Sequence, residues 1–197
     1  MDHATPGLDS RHRAVHRAFP GTFTASVNEL CDIGADYSTF DFFRRGGIPP
    51  ISESPAGLPH STERFVRPSK DYGWGTIVDR MGVEQAVGIL SGQSRGVTYP
   101  LPKFLWANFA LTDSTMHEGG PHSEVAAASI RGSDARLGDR PTAIEQADIF
   151  DRTAFVLVAD PGMEETDPSA RGDWGPALRD AGIRFRDEAY SFLYLDE

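Results

Sequence analysis

The chain has 197 residues, of which 39% are hydrophobic and 24% charged, a composition typical of a globular protein with a core of its own. Its formal net charge of −10 at pH 7 opposes binding to a phosphate backbone, so we expect no nucleic-acid partner. No apolar run approaches the roughly 20 residues of a membrane helix, and the amino terminus lacks the pattern of a secretory signal, so we expect a cytoplasmic protein with no membrane partner.

The first 47 residues are predicted to form short helices. Asp9 or Ser10 is a candidate cap for a helix over 11–19, which Pro20 and Gly21 end. Ser26 and Glu29 have the spacing of a capping box, which predicts a second helix up to residue 33. A third helix is predicted over 38–45, ended by a glycine pair. We therefore expect residues 1–47 to form an N-terminal helical arm or lobe.

Two histidines, His12 and His16, are four residues apart on the first predicted helix, so their rings share one helical face. Three arginines surround them and repel a cation. We interpret this surface as a solvated basic face rather than a metal site.

Five prolines punctuate residues 48–68 and rule out a continuous helix or a central strand. This extended segment separates the N-terminal part from a predicted core domain over residues 69–197. At the start of that domain, Tyr72 and Trp74 alternate with Gly73 and Gly75. They indicate a tight turn with buried rings or, alternatively, a stacking platform for a ligand.

The core domain mixes helical and strand patterns. In chain order these are a helix over 83–91, strands over 97–99 and 104–111, an undecided helix or strand over 125–130, a polar loop over 131–141, a helix over 142–150, a buried strand over 153–159, an acidic loop over 164–173, a helix over 175–180 and a strand over 183–195. The order predicts an α+β fold, a single domain with a mixed or antiparallel sheet, short helices and a long irregular Pro-rich segment.

The groups best able to do chemistry lie in a predicted loop over 113–124. His117 and His122 fall within eight residues of two carboxylates, Glu118 and Glu124, around a Gly-Gly-Pro turn. Two imidazoles and one carboxylate leave open positions on a divalent metal ion, which makes His117, His122 and Glu118 candidate metal ligands. Without a metal, His117, His122 and Glu124 are candidate catalytic residues, because a carboxylate orients a neighbouring histidine as a general base.

A competing interpretation is that these side chains lie on a solvated surface loop with no chemical role. The triplet His122-Ser123-Glu124 also resembles the first half of the zinc nucleobase-deaminase signature, in which histidine binds zinc and glutamate moves a proton. The second half, P-C-x-x-C, is missing because the single cysteine of the chain is Cys31. We therefore do not assign that family, and a disulfide within one chain is excluded.

Two functions remain open from the sequence. The first is a small soluble enzyme that acts on a small molecule through the His/Glu loop, by metal-assisted or general acid–base chemistry. The second is a structural or assembly protein, a subunit of a virus or of a large complex, that packs on protein subunits through its N-terminal arm and forms a homo-oligomer. The sequence names no substrate and leaves enzymatic activity uncertain.

Overall fold

The computed structural model describes residues 10–46, 69–94, 97–167, 169–170, 172–188 and 192–195. The Pro-rich segment over 48–68, and the domain boundary expected there, lie outside these residues. The chain divides into two compact units, residues 1–163 and residues 164–197. Each unit is described by itself.

A small parallel sheet forms the centre of the first unit. Its strands are β1 (Phe23–Val27), β2 (Tyr37–Ser38) and β5 (Pro102–Ala107). Strand β1 lies in the middle and pairs in parallel with both neighbours. Strands β1 and β2, which lie within the first 47 residues, share this sheet with β5.

The helix predicted up to residue 33 is wrong, because its first residues belong to β1. Ser26 is fully buried, and its hydroxyl donates to the carbonyl of Glu29 at 3.4 Å instead of accepting from a helix N–H. The strand ends at Val27, and the next residue, Asn28, turns the chain away with a φ of +54°. Pairing on both sides of a central strand outweighs a local capping signal.

The other two helices predicted in this region are confirmed as α1 (Arg11–Ala18) and α2 (Thr39–Arg44). Ser10 and Ser38 cap them, each accepting from a backbone N–H in the first turn. The expected solvated face of α1 is wrong at His12, whose side chain is 1% exposed.

Helix α3 (Lys70–Leu90) begins at its cap, Ser69, and is much longer than the helix predicted over 83–91. The predicted tight turn at Tyr72 and Trp74 is wrong, because both residues lie in the first turns of α3. Tyr72 is buried and Trp74 is exposed, so the two rings do not form one stacking platform.

Two further helices, α4 (Leu111–Gly119) and α5 (Glu124–Gln146), pack with α3 around a small hydrophobic core. That core contains Tyr72, Leu111 and Ala128, with Val125 packed against it. The loops predicted over 113–124 and 131–141 are therefore wrong over most of their length. Exposed polar residues such as Asp113, His117 and Asp134 lie on the outward faces of these two helices.

The strand predicted over 153–159 is also wrong. After a 3-10 turn at Phe150–Arg152, the chain runs without regular structure, and residues 154–160 are exposed. The strand predicted over 104–111 is shifted in the structure, since β5 ends at Ala107 and α4 begins at Leu111.

The remaining strands form antiparallel pairs. In the first unit β3 (Gln93–Ser94) pairs with β4 (Val97–Thr98), which confirms a strand close to the one predicted over 97–99. The second unit contains α6 (Trp174–Asp180), β6 (Phe185–Glu188) and β7 (Phe192–Leu195), and β6 pairs with β7. The helix predicted over 175–180 is confirmed, and the strand predicted over 183–195 is a pair of strands.

The α+β class is confirmed, with parallel strands in the central sheet and antiparallel pairs outside it. Among the described residues, every helix is too short or too polar to cross a membrane.

Candidate active site

A histidine and a carboxylate meet on the exposed face of α4. His117 Nε2 lies 3.3 Å from Asp113 Oδ1, and the two residues are one helical turn apart. Their side chains are 71% and 70% exposed, so both are accessible to a substrate from solution. We call Asp113 and His117 the dyad.

The buried face of α4 holds the dyad in place. Leu111 and Thr115 are both fully buried, and the Thr115 hydroxyl donates to the Leu111 carbonyl at 2.9 Å. Just before the helix, the Ala110 N–H donates to the buried carboxylate of Asp79 on α3 at 2.8 Å. Because Leu111 and Thr115 point inward, Asp113 and His117 point outward on the same helix.

Glu118, the next residue on α4, has a different partner. The hydroxyl of Ser69 donates to Glu118 Oε2, so this carboxylate links α4 to the cap of α3. The structure therefore pairs His117 with Asp113 instead of Glu118. Ser69 caps α3 and holds α4 through the same hydroxyl.

His122 and Glu124 lie beyond a tight turn between α4 and α5. Gly120 turns the chain with a φ of +82°, a conformation that favours glycine. The Ser123 hydroxyl then accepts from the Ala126 N–H at 3.1 Å and caps the first turn of α5. His122 and Glu124 are both exposed at this helix start.

The end of α4 and the start of α5 are in close contact. A Cβ added at Gly119 would lie 2.8 Å from the Ser123 hydroxyl oxygen, so only glycine fits there without movement. His117 precedes this contact by two residues, and His122 comes just before Ser123. In the chain, only this short turn separates the helix that carries the dyad from the backbone N–H groups at the start of α5.

The donors expected to bind a metal ion are not gathered into one group. Among the described residues, no three histidine, cysteine, aspartate or glutamate side chains lie close enough together to hold a metal ion. The dyad itself supplies one imidazole and one carboxylate. His117, His122 and Glu118 thus share one region of the surface without forming a three-ligand site.

Sequence reasoning named His117 as a candidate site residue and missed Asp113 as its partner on α4. The signal was present, because aspartate and histidine four residues apart face each other on a helix. It was not used because the Gly-Gly-Pro sequence that follows suggested a loop over the whole of 113–124.

Residues 64–196 match the family described as type I phosphodiesterase / nucleotide pyrophosphatase. No curated protein and no solved structure matches the chain. The matched region includes helices α3, α4 and α5, and therefore the dyad and the α5 start.

Proposed function

The chain belongs to the type I phosphodiesterase / nucleotide pyrophosphatase family, and from this membership we propose that it hydrolyses a phosphodiester or pyrophosphate bond in a small molecule. The match over two thirds of the chain is the observation that carries this proposal. It favours an enzyme over an assembly subunit. The assembly alternative depended on the segment over 48–68, which lies outside the described residues.

We assign the proton transfer to the dyad. His117 Nε2 faces Asp113, so Nδ1 is the ring nitrogen directed to a reacting water. Asp113 fixes the tautomer of the imidazole. As the water oxygen bonds to phosphorus, Nδ1 takes the water proton, and the P–O bond to the leaving group breaks.

The leaving oxygen departs with the bonding electrons and needs a proton. The attacking and leaving oxygens lie in line on opposite sides of phosphorus, so solvent water donates that proton, and the imidazolium formed on His117 releases its own proton to solvent and returns the dyad to its starting state. A helix C-terminus favours a positive charge, and His117 lies in the last turn of α4.

The phosphoryl oxygens are assigned to the start of α5. Backbone N–H groups in the first turn of a helix bind phosphate oxygens, and α5 runs over residues 124–146. His122 is exposed in the turn next to these groups and is proposed to contact the substrate. Glu124, in the same first turn, carries a negative charge, as the phosphate does. It is therefore proposed to orient His122 instead of binding the phosphate. Glu118 is proposed to position α4 through Ser69.

A divalent metal fits the described residues only in part. Catalytic metal sites commonly use three protein ligands, and Asp113 and His117 supply two. The described residues do not bring a third donor to them, so the steps above are assigned to side chains and backbone alone. A homo-oligomer, a cytoplasmic location and the absence of a nucleic-acid partner stay predictions from the sequence.

The proposed activity is tested with two chromogenic esters. Bis(p-nitrophenyl) phosphate reports phosphodiester hydrolysis, and a p-nitrophenyl ester of a nucleoside 5′-monophosphate reports the nucleotide form of the reaction. We expect the purified chain to release nitrophenolate from at least one of them above the rate in buffer. If neither ester reacts faster than in buffer, the proposed activity is wrong.

A further inference from the structure

Arg136 of α5 carries a positive charge that the described residues do not balance. The residue is half-buried, and its Nε and Nη1 atoms are buried without an acceptor among these residues. The ion pairs of the described residues join other side chains. A charge taken out of water is strongly unfavourable unless an opposite charge and hydrogen bonds replace the water. Arg136 is therefore a candidate for binding an anion from solution.

The guanidinium of Arg136 lies where helices α3, α4 and α5 meet. A Cβ added at Gly132, one turn earlier on α5, would lie 2.9 Å from Arg136 Nη1 and 3.6 Å from the hydroxyl oxygen of Tyr72 on α3. The same position is 3.4 Å from Leu111 Cδ2 of α4. Glycine at 132 thus leaves the space in which the arginine side chain folds back along α5 and reaches this junction.

Thr76 of α3 is a second buried polar group at the same level of the helices. Helices α3 and α5 are both antiparallel to α4 and therefore run in the same direction. Tyr72 and Gly132 are neighbours across these two helices, and Thr76 and Arg136 each follow one turn later on the same face. Thr76 is 4% exposed, and its hydroxyl has no hydrogen-bond partner among the described residues. Two helices thus bring a hydroxyl and a guanidinium to one place.

The buried carboxylate of α3 has a structural role of its own. Asp79 is fully buried, and its Oδ1 accepts from the Ala110 N–H at 2.8 Å. This bond holds the start of α4, where Ala110 provides no side-chain cap. Asp79 forms no direct ion pair with Arg136, so its charge is used at the start of α4 and not at the guanidinium.

A phosphate group fits these donors better than water does. The guanidinium presents its N–H groups as a planar fork that matches two phosphate oxygens, and the Thr76 hydroxyl can donate to another. Water satisfies hydrogen bonds but leaves the positive charge without an opposite charge. Nη2 is not among the buried nitrogens of Arg136, so an anion approaches from that side of the guanidinium.

We propose that Arg136 and Thr76 bind a phosphate group at the junction of α3, α4 and α5. The choice of phosphate over other anions rests on the proposed function, because an enzyme that hydrolyses phosphate esters meets phosphate groups as substrate and product. The site is separate from the phosphate position assigned to the start of α5, since Arg136 lies roughly three turns further along that helix. Bound phosphate connects α3 to α5 and stabilises the helices that support the dyad.

Thermal unfolding of the full chain tests this site. We expect inorganic phosphate at about 20 mM to raise the melting temperature by about 2–4 °C above that in sodium chloride of equal ionic strength, because the ligand binds the folded state. Arg136→Met should lose at least half of this gain, and it should stay folded without phosphate because it removes a buried charge. Arg131→Met, which replaces an exposed arginine on the same helix, is the matched control and should keep the gain. No gain in the original chain, or an equal gain in Arg136→Met, would overturn the proposal.

Two further variants locate the bound phosphate. Thr76→Val should reduce the gain in melting temperature without changing a charge. His117→Gln should keep the gain, because the dyad is a different site. A gain that is lost in His117→Gln and kept in Arg136→Met would place the phosphate at the dyad and contradict binding at Arg136.

Adenosine 5′-monophosphate in place of inorganic phosphate shows whether the site accepts a phosphate group attached to a nucleoside. A gain that depends on Arg136 with either compound supports the site, and no such gain with both compounds overturns it. Binding is measured here without turnover. The phosphate result therefore stands even if neither chromogenic ester is hydrolysed, and a failure to bind phosphate at Arg136 leaves the hydrolysis result unchanged.

Discussion

The imidazole of His117 lies 3.3 Å from the carboxylate of Asp113, one turn earlier on α4. The proposed function assigns the proton transfer to this pair of side chains. The fully buried side chains of Leu111 and Thr115 hold the opposite face of the helix, so the dyad projects from a fixed support. The account of function depends on this pair more than on any other contact.

Replacing Asp113 with asparagine removes the charge that orients His117 and keeps the shape of the side chain. We expect kcat for the chromogenic ester to fall by about tenfold or more, because a positioned general base contributes on the order of 10²–10⁴-fold. Asp134→Asn, an exposed carboxylate on α5, is the matched control and should change kcat by less than about twofold. Equal effects of the two substitutions would show that Asp113 has no specific role.

Because His12 of α1 is buried, we predict that the protein loses stability in mild acid. Burial of His12, and secondarily the charge of Arg11, lowers its pKa below the usual 6.5, while Asp32 and Asp36 oppose this shift and His16 reinforces it. The unfolded chain therefore takes up a proton on His12 at a higher pH than the folded chain does. The free energy of unfolding falls as the pH drops from 6.5 towards the lowered pKa.

Urea unfolding at pH 7.5 and at pH 5.5 measures this effect. The chain should lose more stability between these two pH values than His12→Gln does, because the variant has no group to protonate at this position. His16→Gln is the control, since His16 is partly exposed and lies 3.2 Å from Asp36. If the free energy of unfolding of His12→Gln depends on pH as it does in the original chain, His12 is not the source of that dependence.

A close approach between α3 and the end of β1 makes Gly82 sensitive to substitution. A Cβ at Gly82 would lie 2.4 Å from Asn28 Nδ2, which donates to the Val78 carbonyl at 3.0 Å. Gly82→Ala should therefore lower the free energy of unfolding by about 1–3 kcal/mol, the usual cost of overpacking. Gly138→Ala on α5 meets nothing within 4 Å and should be neutral or stabilise by up to about 1 kcal/mol. Thermal or urea unfolding compares them, and a Gly82→Ala variant as stable as Gly138→Ala would contradict this packing.

A buried amide connects the sheet to α3. Gln85 Oε1 accepts from the Tyr37 and Thr39 hydroxyls, each at 2.7 Å, and burial raises the pKa of Tyr37. Gln85→Leu leaves two buried hydroxyls without this acceptor and should cost about 2–4 kcal/mol of stability. In a Tyr37→Phe background the cost of Gln85→Leu should be smaller, because only one hydroxyl is then affected. Equal costs in both backgrounds would show that the Tyr37 bond contributes nothing.

Local sequence signals predicted the helices whose first turns are stabilised by neighbouring residues in the chain. Ser10 and Ser38 mark the starts of α1 and α2 correctly, because a cap requires only a side chain and the backbone of the following turn. The α+β class also followed from the mixture of patterns. His117 could be named as a candidate site residue for the same reason, since that needed only residue type and proximity in sequence, and its role stays a prediction.

The features that sequence reasoning missed are those that distant contacts decide. Strand β1 forms where a capping box predicted a helix, because β2 and β5 pair with it on both sides. The first turns of α3 include Gly73 and Gly75, which suggested a turn, and Gly75 is needed because a Cβ there would lie 2.8 Å from the Leu111 Cα. The partnership of Asp113 with His117 depends on α4 being a helix, which its packing on α3 and α5 stabilises.

The central claim is that His117 carries the proton transfer in phosphodiester hydrolysis, and His117→Gln tests it most directly. The measurement is kcat for the chromogenic ester, with the melting temperature of each variant as a check on folding and His16→Gln as a histidine control outside the site. We predict that His117→Gln lowers kcat by about 10²-fold or more with an unchanged melting temperature, while His16→Gln keeps the activity of the original chain. A His117→Gln variant that folds and keeps the original kcat would contradict the account.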